Sequence, residues 1–291
     1  MQDILRNIPD DKRRARAWLY SILLIVIIST IMLMGSGGET DTDLILAFDP
    51  ILLLIIQAVS SAFIFFGIPL LFILVILKIS LKEFFPKISW LVVAYTFLIA
   101  ICSMVVISVI GEWNLNLDFG DSDFAQWART SEDQLKILTE HLTNFTSTGH
   151  FLLAFAIIAV IPGIGEELLF RGLIQNNLNV ALRNHHVAIW VTGFIFAAIH
   201  LQFFGLAPRM FLGVLFGYLY HWSGKLSVAM LAHLINNGMA VVALYLAQTG
   251  TIEMTAEEME QAAPWPAILL FGALGTYVLL TFKKHFQKDH E

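Results

Sequence analysis

The fold is decided by residues 149–182, which read GHFLLAFAIIAVIPGIGEELLFRGLIQNNLNVAL. This segment is long and apolar enough to cross a bilayer, because a helix of about 20 residues spans about 30 Å of hydrocarbon. Its middle nevertheless carries Glu166, Glu167 and Arg171. A charged group costs at least about 2.5 kcal/mol at the centre of a membrane helix. We therefore expect these three side chains to be functional.

The composition of the whole chain indicates a helical membrane protein. Of its 291 residues, 57% are hydrophobic and 14% are charged, and the mean hydropathy is +0.74. Soluble domains carry about 25% charged residues. The apolar runs are continuous, which excludes a β-barrel with its alternating polarity. The single cysteine, Cys102, lies inside such a run and excludes both a disulfide framework and a metal site built from cysteines.

Eight apolar segments predict an all-α polytopic membrane protein with about eight transmembrane helices. They are residues 17–35, 50–77, 88–110, 149–182, 187–204, 207–223, 226–247 and 265–282. The polar stretch 123–142 has helically spaced apolar side chains, which is typical of an amphipathic helix on the membrane surface. Since no internal repeat or low-complexity tract is present, we predict a single membrane domain over residues 1–291.

Basic and acidic residues alternate between the two sets of connecting segments. The acidic segments are 39–49, 112–140 and 253–260. By the positive-inside rule, the basic set places both termini in the cytoplasm, which agrees with an even number of spans. That set comprises Arg6, Lys12, Arg13, Arg14, Arg16, Lys78, Lys82, Lys87, Arg183, Lys225, Lys283, Lys284 and Lys288.

The glutamate pair directly follows the sequence Pro162-Gly163-Ile164-Gly165. Proline removes a backbone donor and glycine weakens a helix, so we expect a break that makes Glu166 and Glu167 the first turn of a new helical segment. Carboxylates are favoured at that end of a helix. Glu167 and Arg171 are four residues apart and can pair along one face, whereas Glu166 points about 100° away.

Two more polar pairs, each spaced by four residues, lie on other apolar segments: Phe196 with His200, and His233 with Asn237. Counted from the cytoplasmic markers, Glu166, His200 and Asn237 lie at depths of about 26, 21 and 18 Å. We therefore expect the three sets to line one site within the membrane. A carboxylate and an imidazole beside one water molecule can act as a general base. A second histidine and an amide can stabilise an oxyanion.

The residues alone leave several kinds of site open. No serine or cysteine nucleophile has a neighbouring base, which disfavours covalent catalysis. Glu166, His200 and His233 could alternatively hold a divalent metal such as zinc. A non-catalytic membrane scaffold or an ion-coupled transporter could keep the same polar cluster. The helix break predicted at Pro162 has no counterpart in a matched half of the chain, which counts against the transporter.

The three motifs, in this order, resemble those of the CAAX protease and bacteriocin-processing (CPBP) family, which includes the type II CAAX prenyl endopeptidases. The resemblance covers residues 150–245, which we predict to be the catalytic core. It implies a helical bundle that encloses a water-filled site and hydrolyses a peptide bond. The motifs are Glu166-Glu167-x-x-x-Arg171, Phe196-x-x-x-His200 and His233-x-x-x-Asn237.

The resemblance also implies a role for each motif residue. Glu166 with His200 would activate water, and His233 with Asn237 would stabilise the oxyanion. Glu167 and Arg171 would support the site. Apart from the resemblance, we expect Phe196 to be a packing residue, with shaping of the site wall as its alternative role.

The same resemblance implies a location, a cofactor requirement and a set of partners for the enzyme. We expect an intramembrane endopeptidase in a prokaryotic plasma membrane that works without a cofactor, with zinc as the alternative. The expected partners are membrane lipid and a peptide or prenylated peptide, and nucleic acid is not expected. A CAAX-type tail, a bacteriocin leader and a signalling peptide are all compatible with the motifs.

Three residues of the segment 207–223 lie outside the motifs. Gly213 and Gly217 form a small-xxx-small pair, which predicts close helix packing. Arg209 follows Pro208 near the start of the segment. We expect its guanidinium to extend to the membrane surface, with contact to an anion or substrate as the alternative.

Overall fold

The computed structural model describes residues 10–36, 46–259 and 261–288. Helices dominate these ranges, and they contain no strand. Arg6 and the acidic residues Glu39, Asp41, Asp43 and Glu260 lie outside the described residues. The helices of more than ten residues, in chain order, are α1 (Asp10–Ser36), α2 (Pro50–Ile76), α3 (Trp90–Leu115), α4 (Asp123–Leu142), α5 (Thr148–Leu182), α6 (His185–Ala198), α7 (Leu206–Ser223), α8 (Leu226–Gln248) and α9 (Trp265–Lys288).

The predicted all-α polytopic fold is confirmed: seven helices of the described chain are long and apolar enough to cross a membrane. The predicted span 187–204 differs, because α6 has only 14 residues, or about 21 Å. The chain turns after Ala198, and Leu201 has a φ of 55°, which a right-handed helix does not allow. His200 therefore lies in this turn and not in a membrane-crossing helix.

Side-chain caps fix where several of these helices begin. A serine, aspartate or asparagine placed just before the first turn accepts a backbone N–H, which would otherwise lack a partner. The capping residues are Asp49 for α2, Ser89 for α3, Ser122 for α4, Ser147 for α5 and Asn184 for α6. Helix α4 accordingly covers the same residues, 123–142, as the amphipathic helix indicated by the sequence.

Helix α5 passes through the proline-glycine stretch without the predicted break. Its regular part Ile161–Leu169 lies between two wider, π-helical turns, Ala156–Val160 and Phe170–Gln175. Pro162 is the second residue of that regular part. The backbone N–H that proline lacks is tolerated there, next to a π-helical turn. Glu166 is consequently the sixth residue of the regular part and not part of its first turn.

The middle of the bundle is built around α5, whose side chains Phe170, Leu173 and Ile174 are fully buried. Helices α6 and α7 run antiparallel beside it and touch at two glycines. A Cβ added to Gly213 would lie 2.9 Å from the Cα of Gly193, so only glycine allows this approach. The close packing predicted for Gly213 is therefore present, and it brings the backbone of α7 next to α5.

Candidate active site

A buried ionic network joins α5, α7 and α8. Arg171 donates from Nη1 to Oε1 of Glu167 at 2.6 Å and from Nη2 to the backbone oxygen of Gly213 at 2.6 Å. The same Oε1 lies 2.8 Å from Nδ1 of His233. Both Arg171 and Glu167 are fully buried. We call Glu167, Arg171, His233 and the Gly213 carbonyl the Arg171 network.

Local structure explains why this network forms. The spacing of four residues places Glu167 and Arg171 on one face of α5, as the sequence predicted. The Gly193–Gly213 contact lets the Gly213 carbonyl approach the guanidinium. One atom on each partner is still unsatisfied, since Oε2 of Glu167 and Nε of Arg171 are buried without a hydrogen-bond partner.

Two phenylalanines enclose the charged groups. The guanidinium carbon of Arg171 lies 5.0 Å from the ring centre of Phe196 and 5.6 Å from that of Phe216. Phe216 also stacks on His233, with ring centres 5.1 Å apart and an interplanar angle of 27°. Cation–π contact and exclusion of water both strengthen the ion pair.

Glu166 faces His233 from the side opposite Glu167. Its Oε2 lies 3.9 Å from Nε2 of His233, which is longer than a hydrogen bond. The Glu167 carboxylate can only accept, so Nδ1 of His233 carries the proton that it donates. Nε2 is then the ring nitrogen that is directed to Glu166. Glu166 is itself 7% exposed, so little solvent reaches it.

His200 is held by the last turn of the preceding helix, α6. Its Nδ1 lies 2.7 Å from the backbone oxygen of Phe196. A carbonyl only accepts, so Nδ1 carries the proton and, in the neutral ring, Nε2 keeps a lone pair. The Phe196 ring lies between the two histidines, with its centre 5.2 Å from the His200 ring and 5.9 Å from the His233 ring. Among the residues described, no hydrogen bond or ion pair joins His200 to Glu166.

Asn237 lies one turn beyond His233 on α8. Its Nδ2 donates a long hydrogen bond of 3.4 Å to the backbone oxygen of Ile158. Its Oδ1 accepts from Nδ2 of the adjacent Asn236 at 3.2 Å. Asn236 thus orients the amide, while the 3.4 Å bond leaves the Asn237 donor weakly engaged.

The alternative metal site requires three ligands that converge. Zinc ligands lie about 2.0–2.2 Å from the ion for nitrogen and oxygen donors. Glu166 and His233 are neighbours, but across the three described ranges no group of three His, Cys, Asp or Glu side chains is arranged to hold a metal ion. The described structure therefore does not arrange Glu166, His200 and His233 as a three-ligand site.

Sequence reasoning missed two parts of this site, the Gly213 carbonyl and Phe216. The signal for both was available in the glycine pair of α7. Gly213 and Phe216 are three residues apart and share the helix face that packs closely on its neighbours. A face that approaches a buried arginine can supply backbone oxygens and aromatic rings to it.

The site lies inside a region similar to known proteins. Residues 148–239 match the family described as "Type II CAAX prenyl endopeptidase Rce1-like". The chain is 30% identical over 82 residues to the uncharacterized protein YpbD of Bacillus subtilis (strain 168), which covers 27% of this chain and 39% of YpbD. It is 29% identical over 90 residues to the membrane-embedded CAAX protease MroQ of Staphylococcus aureus (strain USA300), which covers 29% of this chain and 36% of MroQ.

The resemblance to CPBP proteases is thereby confirmed for the segment that holds all three motifs. The matched segments span well under half of the length of both relatives. None of the solved structures matches this chain significantly.

Proposed function

We propose that the protein is an intramembrane endopeptidase of the CPBP type, which hydrolyses a peptide bond of a membrane-associated substrate with an activated water. The observation that carries this proposal is the position of Glu166, 3.9 Å from a His233 that Glu167 and Arg171 hold in place, inside the Rce1-like segment. The relative described as a membrane-embedded CAAX protease supports a peptide substrate and a location in a membrane. We propose that this membrane is a prokaryotic plasma membrane.

The proposed reaction uses Glu166 as the general base. Its carboxylate takes a proton from water while the water oxygen bonds to the carbonyl carbon of the peptide. The same proton then passes to the amide nitrogen as the carbon–nitrogen bond breaks. The Nε2 lone pair of His200 accepts a hydrogen bond from the water and helps to orient it.

The oxyanion that forms on the carbonyl needs donors. Glu167 accepts the hydrogen bond from Nδ1 of His233 and so directs the Nε2 edge of the ring to Glu166. In a protonated ring, Nε2–H is one such donor. Asn237 supplies a second donor by exchanging its 3.4 Å bond to Ile158 for the oxyanion. Phe196 forms the wall between the two histidines.

We propose that the reaction needs no metal. The support is geometric, because in the described part of the chain a third ligand does not converge on Glu166 and His233. Positioned carboxylate, imidazole and amide groups supply both the base and the oxyanion donors without one.

The test compares purified wild type with Glu166→Ala on prenylated and unprenylated peptides, with and without a chelator. Glu140→Ala, which removes an exposed carboxylate of α4, is the control. We expect Glu166→Ala to lower the rate of cleavage by about 10²-fold or more and Glu140→Ala to leave it unchanged.

Each other result would count against a specific part of the proposal. Equal cleavage by wild type and Glu166→Ala would remove Glu166 from the chemistry. Activity lost with chelator and restored by zinc would overturn the metal-free reaction. Ion-dependent uptake into liposomes without cleavage would favour the transporter, and neither activity would favour a scaffold.

A further inference from the structure

Arg209 lies on the face of α7 that is directed to the active site. Arg209, Gly213 and Phe216 follow one another at spacings of four and three residues, so they share one face. The Gly213 carbonyl binds Arg171, and Phe216 stacks on His233. Arg209 therefore lies one helical turn, about 6 Å along α7, from Gly213, whose carbonyl binds Arg171.

His200 lies at the same end of the bundle as Arg209. Helices α6 and α7 are antiparallel and touch at Gly193 and Gly213. His200 follows Gly193 by seven residues, and Arg209 precedes Gly213 by four. Both residues are thus displaced in the same direction from the contact, and they interact electrostatically.

The sequence predicted that the guanidinium of Arg209 extends to the membrane surface. In the structure, part of this guanidinium is buried instead. Its Nη1 is buried against Gly205, where an added Cβ would collide with it, and this nitrogen has no hydrogen-bond partner. Its charge interacts with Glu166 of α5 and Glu132 of α4. A buried donor without an acceptor is costly, so an acceptor supplied by a ligand would be favoured.

We propose that Arg209 binds a carboxylate of the peptide substrate and so determines which peptides are cleaved. Guanidinium binds carboxylate through two parallel hydrogen bonds, a geometry that neither amides nor lysine reproduce. An extended peptide advances about 3.3 Å per residue, so one helical turn corresponds to about two residues. The carboxylate is either the C-terminal group or an acidic side chain, about two residues from the cleaved bond. This inference rests on the proposed protease function.

The experiment uses the full-length protein and two matched pairs of peptides. One pair differs only in a C-terminal acid or amide, and the other has Asp or Asn two residues from the cleaved bond. In one of the two pairs, we expect wild type to cleave the acidic peptide with a kcat/KM at least about tenfold higher than that of its neutral partner. The pair that shows this difference identifies the source of the carboxylate.

Three variants assign that preference to Arg209. Arg209→Gln should abolish it through KM, and Arg209→Lys should keep only part of it. Arg129→Gln is the control. Arg129 lies on the surface helix α4, where it pairs with Asp118 at 3.2 Å and packs over the ring of Phe204. Arg129→Gln should retain the full preference. A preference that survives in both Arg209 variants, or one that wild type never shows, would overturn the proposal.

A binding measurement separates this proposal from the proposed reaction. Fluorescently labelled acid and amide peptides are titrated into Glu166→Gln and into the Glu166→Gln/Arg209→Gln double variant. If Glu166→Gln binds the acid peptide more tightly than the amide peptide, and the double variant does not, the role of Arg209 in binding the carboxylate is supported. This holds even if wild type cleaves neither peptide. Equal affinity of both peptides for Glu166→Gln overturns the role of Arg209, whether or not wild type is a protease. Arg209→Lys replaces Arg209→Gln in the double variant if thermal unfolding shows that the latter does not fold.

Discussion

The Arg171 network and a second set, the Glu166 group (Glu166, His200 and Asn237), share one part of the bundle but are held in opposite ways. In the network, the Arg171 and His233 bonds to one Glu167 oxygen measure 2.6 and 2.8 Å. In the Glu166 group, the carboxylate lies 3.9 Å from His233 and the Asn237 amide makes a 3.4 Å bond. His200 is the exception, because its Nδ1 is held at 2.7 Å by the Phe196 carbonyl. Short, charged contacts fix side chains, while long contacts leave donors and acceptors available to a substrate.

The same difference separates the two adjacent glutamates, Glu166 and Glu167. Burying a carboxylate costs several kcal/mol unless a partner compensates for it. Glu167 receives that compensation from Arg171 and supports the histidine. Glu166 has no comparable partner, so it is the carboxylate that can exchange a proton with water. In the proposed reaction, the network therefore holds His233 in place, and the Glu166 group supplies the general base, the histidine that orients the water and the second oxyanion donor.

The largest expected effect comes from the Glu166 group. Asn237→Ala removes one oxyanion donor, and we expect cleavage to slow by about 10²–10³-fold. Asn236→Ala is the matched control, because it removes only the 3.2 Å contact that orients Asn237. Its rate should fall by about tenfold at most. Rates per folded molecule and unfolding temperatures of both variants check this, and similar rates for the two would show that Asn237 is not a donor.

The next effect falls on stability and tests the network. Arg171→Met leaves the Glu167 carboxylate buried without its cation, and we expect the free energy of unfolding to drop by about 3–5 kcal/mol. Glu167→Gln/Arg171→Met removes both charges, so it should recover most of that loss. Denaturation in detergent measures both variants. A single variant as stable as wild type would mean that the network does not support the fold.

The two halves of the site also differ in how well the sequence predicts them. Glu167 and Arg171 pair at a spacing of four residues within one helix, so their contact follows from local geometry. His200 depends on where α6 ends, which is decided by the left-handed conformation of Leu201 and not by an apolar pattern. Local spacing therefore predicted the Glu167–Arg171 pair of the network, while the position of His200 required the tertiary structure.

The fold shows the same limit. Apolar length predicts membrane helices well, because hydrocarbon thickness sets it directly. It did not predict that α5 remains continuous at Pro162, since π-helical turns on both sides of Ile161–Leu169 absorb the irregularity. Nor did it predict the bond from Arg171 to Gly213, which lies 42 residues away. Contacts between helices depend on packing that a single sequence does not encode in its spacing.

A moderate effect is expected where the helices touch. Gly213→Ala would place a Cβ 2.9 Å from the backbone of Gly193, and backbone atoms cannot move aside cheaply. We expect a loss of about 1–3 kcal/mol in the free energy of unfolding. Gly111→Ala in α3 is the control, because its Cβ meets no atom within 4 Å, and it should be neutral or slightly stabilising. Equal stability of both variants would contradict the close contact of α6 and α7.

The smallest expected effect lies at the start of α5, far along the helix from both groups. Ser147 caps this helix by accepting the backbone N–H of His150 at 3.1 Å. Ser147→Ala should lower the free energy of unfolding by about 1 kcal/mol, whereas Ser147→Asn, which keeps a capping oxygen, should preserve it. Neither variant should change the rate of cleavage per folded molecule, because the network holds α5 and His233 together independently of the helix end. A fall in that rate for Ser147→Ala, absent in Ser147→Asn, would mean that fraying of α5 reaches Glu166 and that the network is less rigid than its short bonds indicate.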